Sequence, residues 1–339
     1  MRALVFKSPW ELQVEERDVR DPGPDEALLR VVATGVCGSD LHGYTGHTGR
    51  RHPEQVMGHE TVARIERLGA GSDHLHEGQV VVVNPAMSCG TCSACVQHEE
   101  QRCESLRVIG VVPEWDAAFA ELMVAPMANL LPLPEGTPEH LGALVEPLAV
   151  GWHAVRRARL QPGEAIVVIG GGPIGQAVAL GAARAGIADI VVSESLASRR
   201  ALLESLGFTA VAPERLSGTI SETGMVVGTI FDAVGSSDSI SQGLEITGRG
   251  GRLILIGMAE PQLSLSAFEI SVRERELIGT FCYSMEDFRS TVDWLGRNVE
   301  TASALVDAVE PLSAGPDVFR ELASYSRDAS KILLAPNLS

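Results

Sequence analysis

Four of the six cysteines lie close together, with the spacing Cys-x-x-Cys-x-x-Cys-x7-Cys, at Cys89, Cys92, Cys95 and Cys103. Thiolates at this spacing can converge on one tetrahedral zinc ion, at Zn–S distances of about 2.3 Å. Four sulfur ligands leave no position for water, so this zinc would be structural and would clamp the lobe 84–104. Two disulfides or an iron–sulfur cluster are the alternatives, and an intracellular chain disfavours the disulfides.

A second set of possible metal ligands is spread over three motifs. Cys37 stands in the run Thr-Gly-Val-Cys-Gly-Ser-Asp-Leu-His, His59 and Glu60 follow a glycine, and Glu146 precedes a proline. One thiolate, one imidazole and one carboxylate suit zinc and leave a position open for water or substrate. All these residues lie near Gly or Pro turns, which can aim side chains at a shared point. The motifs therefore predict a catalytic zinc site.

A glycine-rich segment predicts a nucleotide site. The pattern Gly-x-Gly-x-x-Gly follows an apolar run, 165–169, and opens an alanine-rich helical stretch, which is the context that a dinucleotide motif requires. Its first glycine permits a tight turn, its second lets the backbone approach a pyrophosphate, and its third allows close helix–strand packing. The free N–H groups of the helix start would face the phosphates. The residues of this turn are Gly170, Gly172, Pro173, Ile174 and Gly175.

An acidic residue follows the second strand of this region. Glu194 lies 194 − 172 = 22 residues after the second glycine, where a carboxylate hydrogen-bonds the adenosine ribose. A carboxylate there repels a 2′-phosphate, which favours NAD over NADP. Arg199 and the arginine after it could stack on adenine or hold a phosphate, so NADP is the less favoured alternative. Val234 and Gly257 end later strands at the same edge and are further candidates.

The elements that must position these residues differ between the two parts of the chain. Short apolar runs separated by turn residues predict an irregular antiparallel barrel at the start. After residue 163, strands alternate with helices, which predicts a parallel sheet covered on both faces. The end of the chain predicts two helical stretches and a last strand. The predicted strands include 27–33, 61–68, 79–84, 121–125, 165–169, 189–193, 225–234, 253–256, 277–281 and 331–334, and a helical stretch covers 138–158.

Composition excludes several functions. The 339 residues carry 27 Lys and Arg against 44 Asp and Glu, a net charge of −17, which disfavours nucleic-acid binding. The 45% of hydrophobic residues suffice for a core, and the length suggests two domains. No targeting peptide is evident, and the most apolar run, 165–183, is interrupted by the glycine motif, so we predict no membrane span. The cytoplasm is the expected compartment.

Taken together, these motifs resemble the zinc-dependent medium-chain alcohol and polyol dehydrogenases, and the sorbitol, threonine and butanediol dehydrogenase branch in particular. The resemblance covers the whole chain, with the motifs in the family's order. It implies an α/β protein with a GroES-like irregular β-barrel catalytic domain over 1–150, which includes the lobe 84–104. It further implies a doubly wound Rossmann domain over 151–284 and a segment 285–339 that returns to the catalytic domain.

The resemblance also assigns roles. It makes Cys37 and His59 catalytic zinc ligands. In the polyol branch, the glutamate at the position of Glu60 binds zinc. In related branches, the glutamate at the position of Glu146 binds zinc directly or through the metal-bound water. The resemblance therefore does not decide which of the two is the third protein ligand. Asp40 would accept the N–H of His59 and fix its tautomer.

Three further residues complete the implied site. Ser39 would receive the substrate hydroxyl proton, and His42 would pass it to solvent, unless His42 is only a hydrogen-bonded structural residue. Cys282 ends an apolar strand and could be a buried small hydrophobe. The resemblance instead puts its stretch near the nicotinamide.

The implied reaction is a reversible NAD-dependent oxidation of a small-molecule secondary alcohol, most simply a polyol, sugar alcohol or sugar acid. A threonine or vicinal-diol substrate is the alternative. A non-catalytic zinc protein and a zinc-free reductase of the same fold are disfavoured, because neither needs Cys37, His59 and Glu60. The resemblance also implies a homodimer or homotetramer.

Overall fold

The computed structural model describes residues 1–47, 49–71 and 74–338. It contains two compact units. The split unit comprises Met1–Glu146 and Ser284–Ser339, and the central unit comprises Pro147–Tyr283. The predicted segments 1–150, 151–284 and 285–339 follow the same order, and position 339 lies outside the described residues.

The secondary structure contains strands and helices in both units. The strands are β1 (Arg2–Ser8), β2 (Glu11–Glu16), β3 (Glu26–Gly35), β4 (Gln55–Val56), β5 (Glu60–Leu68), β6 (Val80–Val83), β7 (Ala86–Met87), β8 (Arg107–Val108), β9 (Leu122–Pro126), β10 (Leu130–Pro132), β11 (Ala165–Ile169), β12 (Ile190–Ser193), β13 (Thr209–Val211), β14 (Val227–Asp232), β15 (Arg252–Leu255), β16 (Glu276–Gly279), β17 (Ala308–Pro311) and β18 (Ile332–Ala335). The helices are α1 (Gly38–Tyr44), α2 (Ser93–Val96), α3 (Val145–Ala158), α4 (Pro173–Arg184), α5 (Ala197–Ser205), α6 (Leu216–Thr223), α7 (Ser237–Ile246), α8 (Ala267–Ser271), α9 (Met285–Arg297), α10 (Val299–Ser303) and α11 (Gly315–Ala323).

The split unit is built on a largely antiparallel sheet. Its strand order is β10-β6-β5-β3-β18-β17, and β9 also pairs with β3. Gly35 at the end of β3 lies opposite Glu60 on one side and Leu333 on the other. Three distant parts of the chain therefore meet at one end of β3. Two smaller sheets, β2-β1-β4 and β7-β8, complete the irregular, GroES-like architecture that was predicted.

The central unit contains a six-stranded parallel sheet in the order β13-β12-β11-β14-β15-β16. The valine- and isoleucine-rich strand β11 is buried at its centre, because helices cover both faces of such a sheet. The strand order reverses between β11 and β14, and in doubly wound sheets ligands bind outside the carboxyl ends of the strands at such a point. The predicted α/β class and Rossmann-like sheet are confirmed.

Two helical predictions differ from the structure in detail. The stretch predicted over 138–158 is a 3₁₀ turn over Glu139–Leu144 followed by α3. Pro147 lacks an N–H, so it fits the first turn of an α-helix better than its interior. The end of the chain has three helices rather than two, because Asn298 separates α9 from α10. Among the described residues, no helix has both the length and the apolar character to cross a membrane.

Candidate metal centres and nucleotide site

The candidate catalytic metal cluster forms where β3 ends and β5 begins. Cys37 precedes α1, and His59 immediately precedes β5, so the pairing of the two strands brings the residues together. The ligand atoms of Cys37, His59 and Glu60 all lie within 4.8 Å of one another. Gly58 has a φ of +107°, a conformation that glycine adopts readily and that turns the chain into His59. This donor set fits zinc.

Gly35 provides the space for the carboxylate of this cluster. A Cβ atom at Gly35 would lie 2.0 Å from Glu60 Oε2. Only a residue without a side chain can therefore occupy this position while the carboxylate keeps its place. The sequence contained this glycine in the Thr-Gly-Val-Cys motif, but its role becomes evident only from the strand register.

Lys331 is a residue of this site that sequence reasoning missed. Its ammonium lies 2.7 and 2.5 Å from the two carboxylate oxygens of Glu60 and donates to the carbonyl of Val36 at 3.2 Å. Burial by itself would lower the pKa of Lys331, but Glu60 and the Cys37 thiolate outweigh it and raise that pKa. Lys331 is therefore a buried cation beside a possible metal ligand. Glu146 is also buried and attracts it.

Asp40 is a buried carboxylate beside the His59 ring, and its predicted role of orienting that ring stays a prediction. Its Oδ1 is 3.5 Å from His59 Nδ1, and Arg51 Nη2 donates to the same oxygen at 3.2 Å. Burial would raise the pKa of Asp40, but the positive charges of His59 and Arg51 lower it. Sequence reasoning also missed Arg51, since nothing in its local pattern separates it from a surface arginine.

His59 is held among negative groups. Burial would lower its pKa, but Asp40 and the Cys37 thiolate raise that pKa well above the ordinary value. The same negative groups attract a metal cation, and Asp40 lies on the Nδ1 side of the ring. Nε2 is therefore the nitrogen that could bind the metal.

Ser39 and His42 lie on α1, three residues apart and hence on the same face. His42 is half-buried, and its ring centroid is 5.6 Å from that of the exposed His47. Burial, and then the charge of His47, lower the pKa of His42. His42 could therefore carry a neutral ring between the interior and the surface.

The four-cysteine lobe has the geometry of a tetrahedral thiolate site. The four sulfur atoms lie within 4.8 Å of one another, with Cys92–Cys95 at 3.5 Å and Cys89–Cys95 at 3.9 Å. A tetrahedron with Zn–S bonds of about 2.3 Å has S···S edges of about 3.8 Å. All four cysteines are free thiols, which argues against the disulfide alternative. An iron–sulfur cluster that binds each thiolate through a different iron would hold the sulfurs farther apart.

Local surroundings shift the pKa values of two cysteines of this lobe in opposite directions. N–H groups of Thr91 and Cys92 stabilise the thiolate of Cys89 and lower its pKa to about 6. Burial raises the pKa of Cys95 to about 11.

Outside the sulfur cluster, Glu100 accepts a hydrogen bond from the N–H of Met285 at 3.2 Å, which joins the lobe to the start of α9.

The nucleotide-site candidates surround a cavity of about 540 Å³ in the central unit. Gly170 has a φ of +91°, and a Cβ atom at Gly175 would lie 1.8 Å from the carbonyl oxygen of Gly170, so both positions require glycine. Pro173 and Ile174 form the first turn of α4. The predicted residues that line the cavity are Gly170, Gly172, Glu194, Arg199 and Val234.

Glu194 is buried at the edge of this cavity. Its carboxylate accepts hydrogen bonds from the N–H groups of Gly171 and Leu196, both at 2.8 Å. Arg200 donates to the carbonyls of Glu194 and Ser195 and so shapes the strand end, whereas Arg199 lines the cavity. The two arginines that the sequence left equivalent are therefore distinct.

Two predicted cofactor residues lie apart from the described lining of this cavity. A Cβ atom at Gly257 would lie 2.1 Å from the carbonyl carbon of Val234, so Gly257 supports a cavity-lining residue rather than lining the cavity itself. Cys282 is half-buried near the end of the central unit and has a φ of +49°. Its predicted role beside the cofactor stays a prediction.

Comparison with known proteins places this chain in one family. The model for the alcohol dehydrogenase GroES-like domain matches residues 23–135, and that for zinc-binding dehydrogenase matches residues 173–297. L-galactonate-5-dehydrogenase of Escherichia coli K12 is 30% identical over 342 residues, which cover 98% of each chain. Sorbitol dehydrogenase of Bacillus subtilis 168 is 27% identical over 99% of this chain and 98% of its own.

A solved structure agrees with these sequence matches. That of 2R,3R-butanediol dehydrogenase from Bacillus subtilis superposes with a TM-score of 0.88 at 26% identity and covers 99% of both chains. The chain belongs to the zinc-dependent medium-chain alcohol dehydrogenases. Within them, its similarity is to the polyol dehydrogenases, as the motifs predicted, and it is an oxidoreductase that acts on the CH–OH group of an alcohol.

Proposed function

We propose that this chain catalyses the reversible NAD-dependent oxidation of a secondary alcohol group in a polyol, sugar alcohol or sugar acid. The observation that carries the proposal is the convergence of Cys37, His59 and Glu60 within 4.8 Å. Three protein ligands leave a zinc ion one position for substrate. Relatives named for galactonate, sorbitol and butanediol support a hydroxylated small molecule.

The residues of α1 would handle the proton in this reaction. When bound, zinc supplies Lewis acidity that lowers the pKa of the alcohol hydroxyl, and NAD supplies the hydride acceptor. Ser39 accepts the hydroxyl proton of the alcohol while its own hydroxyl proton passes to His42, which carries it towards the surface, where His47 is exposed. Asp40 keeps the His59 ring oriented throughout.

The test is NADH production from NAD across a panel of sugar acids, polyols, vicinal diols, cyclitols and L-threonine, repeated with NADP. The proposal expects strong activity with one hydroxylated class, abolished by Cys37→Ser. A response to L-threonine or butanediol alone would favour the corresponding alternative. Absence of activity across the panel in protein with both metals bound would contradict the proposal.

For the third metal ligand, we propose that Glu60 and Glu146 both lie at the catalytic metal and that one of them binds it directly. Glu60 belongs to the group of converging ligand atoms, and both carboxylates attract Lys331. Metal content and the visible spectrum of the cobalt-substituted protein separate the two. Glu60→Gln should change the spectrum if Glu60 binds directly, whereas Glu146→Gln should change it if Glu146 does.

For the coenzyme, we propose NAD. The supporting observation is the buried carboxylate of Glu194 on the cavity that the glycine motif lines. A 2′-phosphate beside this carboxylate would be repelled. We expect Glu194→Ala to lower the preference for NAD over NADP by about tenfold, as measured by the ratio of kcat/KM values. An unchanged ratio would contradict the assignment.

We propose a structural zinc in the lobe, bound by Cys89, Cys92, Cys95 and Cys103.

Because thiolate ligands survive best in a reducing compartment, the lobe also supports a cytoplasmic location, which cell fractionation would test.

We propose a homodimer or homotetramer as well. Three exposed apolar residues are available for subunit contact: Phe268 on α8, Val272 directly after α8, and Leu277 on the edge strand β16. Light scattering would give the mass in solution, and a monomer would contradict this proposal.

A further inference from the structure

A buried carboxylate lies behind one wall of the nucleotide cavity. Asp232 is the last residue of β14, and its side chain has no exposed surface. In the described part of the chain, no cationic side chain pairs with it. Burial raises the pKa of Asp232, and its hydrogen bonds lower that pKa by less than burial raises it. Because a buried carboxylate without a cation is costly, its hydrogen bonds must offset that cost.

Three donors converge on the Asp232 carboxylate. Its Oδ1 accepts from the N–H of Val234 at 2.9 Å and from the N–H of Gly235 at 3.0 Å. Its Oδ2 accepts from the hydroxyl of Ser239, in the first turn of α7, at 2.9 Å. An ionised carboxylate only accepts hydrogen bonds, so it matches a set of three donors. The side chain therefore joins the end of β14 to the following turn and to the start of α7.

Two of the three donor residues form part of the cavity wall. Val234 and Ser239 both line the cavity. The turn also packs against the glycine motif, since a Cβ atom at Gly170 would lie 2.8 Å from Val234 Cγ2. A shift of this turn would therefore change the space beside the glycine motif.

The two sides of the turn are held by different groups. The carbonyls of Val234 and Gly235 accept from the N–H groups of Ala259 and Glu260, at 3.1 and 3.0 Å. Among the described residues, only Asp232 accepts from the two N–H groups of the turn. The carboxylate is thus the group that fixes the N–H side of this wall.

We propose that Asp232 is a positioning residue for the coenzyme, and that its carboxylate holds the turn of Val234 and Gly235 in the conformation that admits the dinucleotide. This inference rests on the proposed binding of NAD and deepens it. Because Asp232 has no exposed surface, it acts through Val234 and Ser239 and does not touch the coenzyme itself.

The test measures NADH binding to the metal-loaded protein through the fluorescence of bound NADH, which does not require the alcohol to be known. Asp232→Ala removes the acceptor from all three donors, whereas Asp232→Asn keeps an acceptor oxygen for the two N–H groups. In the Asn variant the side-chain NH2 faces Ser239, whose hydroxyl can turn to the carbonyl of Ser236 at 3.0 Å.

Thr229→Val is the matched control. Thr229 is buried on the same strand, three residues or about 10 Å from Asp232, and its hydroxyl donates to Glu164. The control therefore removes a hydrogen bond from β14 at the end of the strand away from the cavity. The melting temperature of each variant is measured alongside NADH binding.

We expect Asp232→Ala to weaken NADH binding about tenfold and Asp232→Asn to restore most of the affinity. Thr229→Val should lower the melting temperature but bind NADH as wild type does. With an alcohol identified, Asp232→Ala should raise the KM for NAD and leave the KM for the alcohol unchanged. If Asp232→Ala does not fold, Asp232→Ser takes its place, because its shorter side chain cannot reach both N–H groups, and it should weaken NADH binding in the same direction.

Three results would overturn the inference while the proposed coenzyme would stand. They are unchanged NADH binding in Asp232→Ala, equal weakening by Thr229→Val, and an Asp232→Asn variant as weak as Asp232→Ala. Absence of NADH binding to wild type would instead remove the proposed coenzyme, and the inference would fall with it.

Discussion

Lys331 and Glu60 form a buried ion pair at a site where a second cation, the metal, is also expected. A buried carboxylate without a partner is costly, and removing one member of such a pair typically costs about 3–5 kcal/mol. The lysine therefore stabilises the cluster before any metal binds. Its effect on the fold can be separated from its effect on the metal.

We expect Lys331→Met to lower the free energy of unfolding of the metal-free protein by about 3 kcal/mol. Because it also removes a cation that competes for Glu60, it should strengthen retention of the catalytic metal. Urea-induced unfolding and metal analysis would measure these two effects. The double variant Lys331→Met with Glu60→Gln is the control, because it leaves no unpaired charge and should recover part of the stability. A single variant within about 0.5 kcal/mol of wild type would refute the role assigned to Lys331.

Gly35 and Gly38 offer a matched pair of substitutions. A Cβ atom at Gly35 would lie 2.0 Å from Glu60 Oε2, whereas one at Gly38 would have no neighbour within 4 Å. We expect Gly35→Ala to lower the melting temperature and displace the carboxylate. Gly38→Ala should be neutral or stabilising by about 0.5–1 kcal/mol, because it lies in α1. Equal melting temperatures for both variants would contradict the packing.

Sequence reasoning found the residues that belong to local spacing patterns and missed those whose partners no pattern indicates. The cysteine lobe and the glycine motif are local patterns, so their spacing alone indicated their chemistry. Lys331 lies 271 residues from Glu60, and no local pattern joins them. Arg51 lies only 11 residues from Asp40, and it was missed because a single arginine has no spacing pattern that marks a buried partner.

At the scale of elements, the four-cysteine lobe supports a helix that is distant in sequence. Glu100 accepts the N–H of Met285 at the first turn of α9, and Asn84 at the lobe boundary also contacts Met285. Such first-turn N–H groups have no partner within the helix, so an external acceptor stabilises the helix start. Order in the lobe should therefore be transmitted to α9.

We expect Cys92→Ser to lose one zinc ion per chain and to speed amide hydrogen exchange in the first turn of α9, because the lobe then no longer positions Glu100. Metal analysis and hydrogen-exchange mass spectrometry would test this. Cys282→Ser is the control, since Cys282 lies outside both sulfur-containing clusters of the described residues. Unchanged exchange in α9 after zinc loss would contradict the connection.

The elements themselves were largely predictable. The predicted run 165–169 has the same ends as β11, and the glycine motif opens α4 as predicted. The break at Asn298 and the 3₁₀ turn before α3 were not predicted, because both depend on backbone geometry that hydrophobic periodicity does not report. The strand register that places Gly35 opposite Glu60 is a tertiary property and had no sequence signal.

At the scale of the whole molecule, buried carboxylates make stability depend on pH. In the central unit, burial would raise the pKa of Glu164, but hydrogen bonds from Arg252 and Thr229 lower it below the ordinary 4.5. The unfolded chain therefore takes up the proton first as the pH falls. The stabilisation is complete above about pH 4.5 and is lost as the pH falls through the folded-state pKa.

From pH 7 to about 5, the Glu164 carboxylate should not change the urea midpoint of unfolding. Below about pH 4.5, its protonation should make the midpoint decline. Arg252→Met should make the decline shallower, since it removes the partner that lowers the pKa of Glu164. Arg159→Met is the control, because its ion pair with Glu276 is exposed and contributes little. Parallel curves for wild type and Arg252→Met would refute the assignment.

The split unit also sets the order in which a newly synthesised chain can complete its metal site. Glu60 leaves the ribosome 271 residues before Lys331, an interval of roughly 15–55 s at typical rates of synthesis. During that time the whole central unit is made and can fold, while Glu60 still lacks its buried counter-charge. Final assembly of the site therefore waits until β18 has been made and pairs with β3.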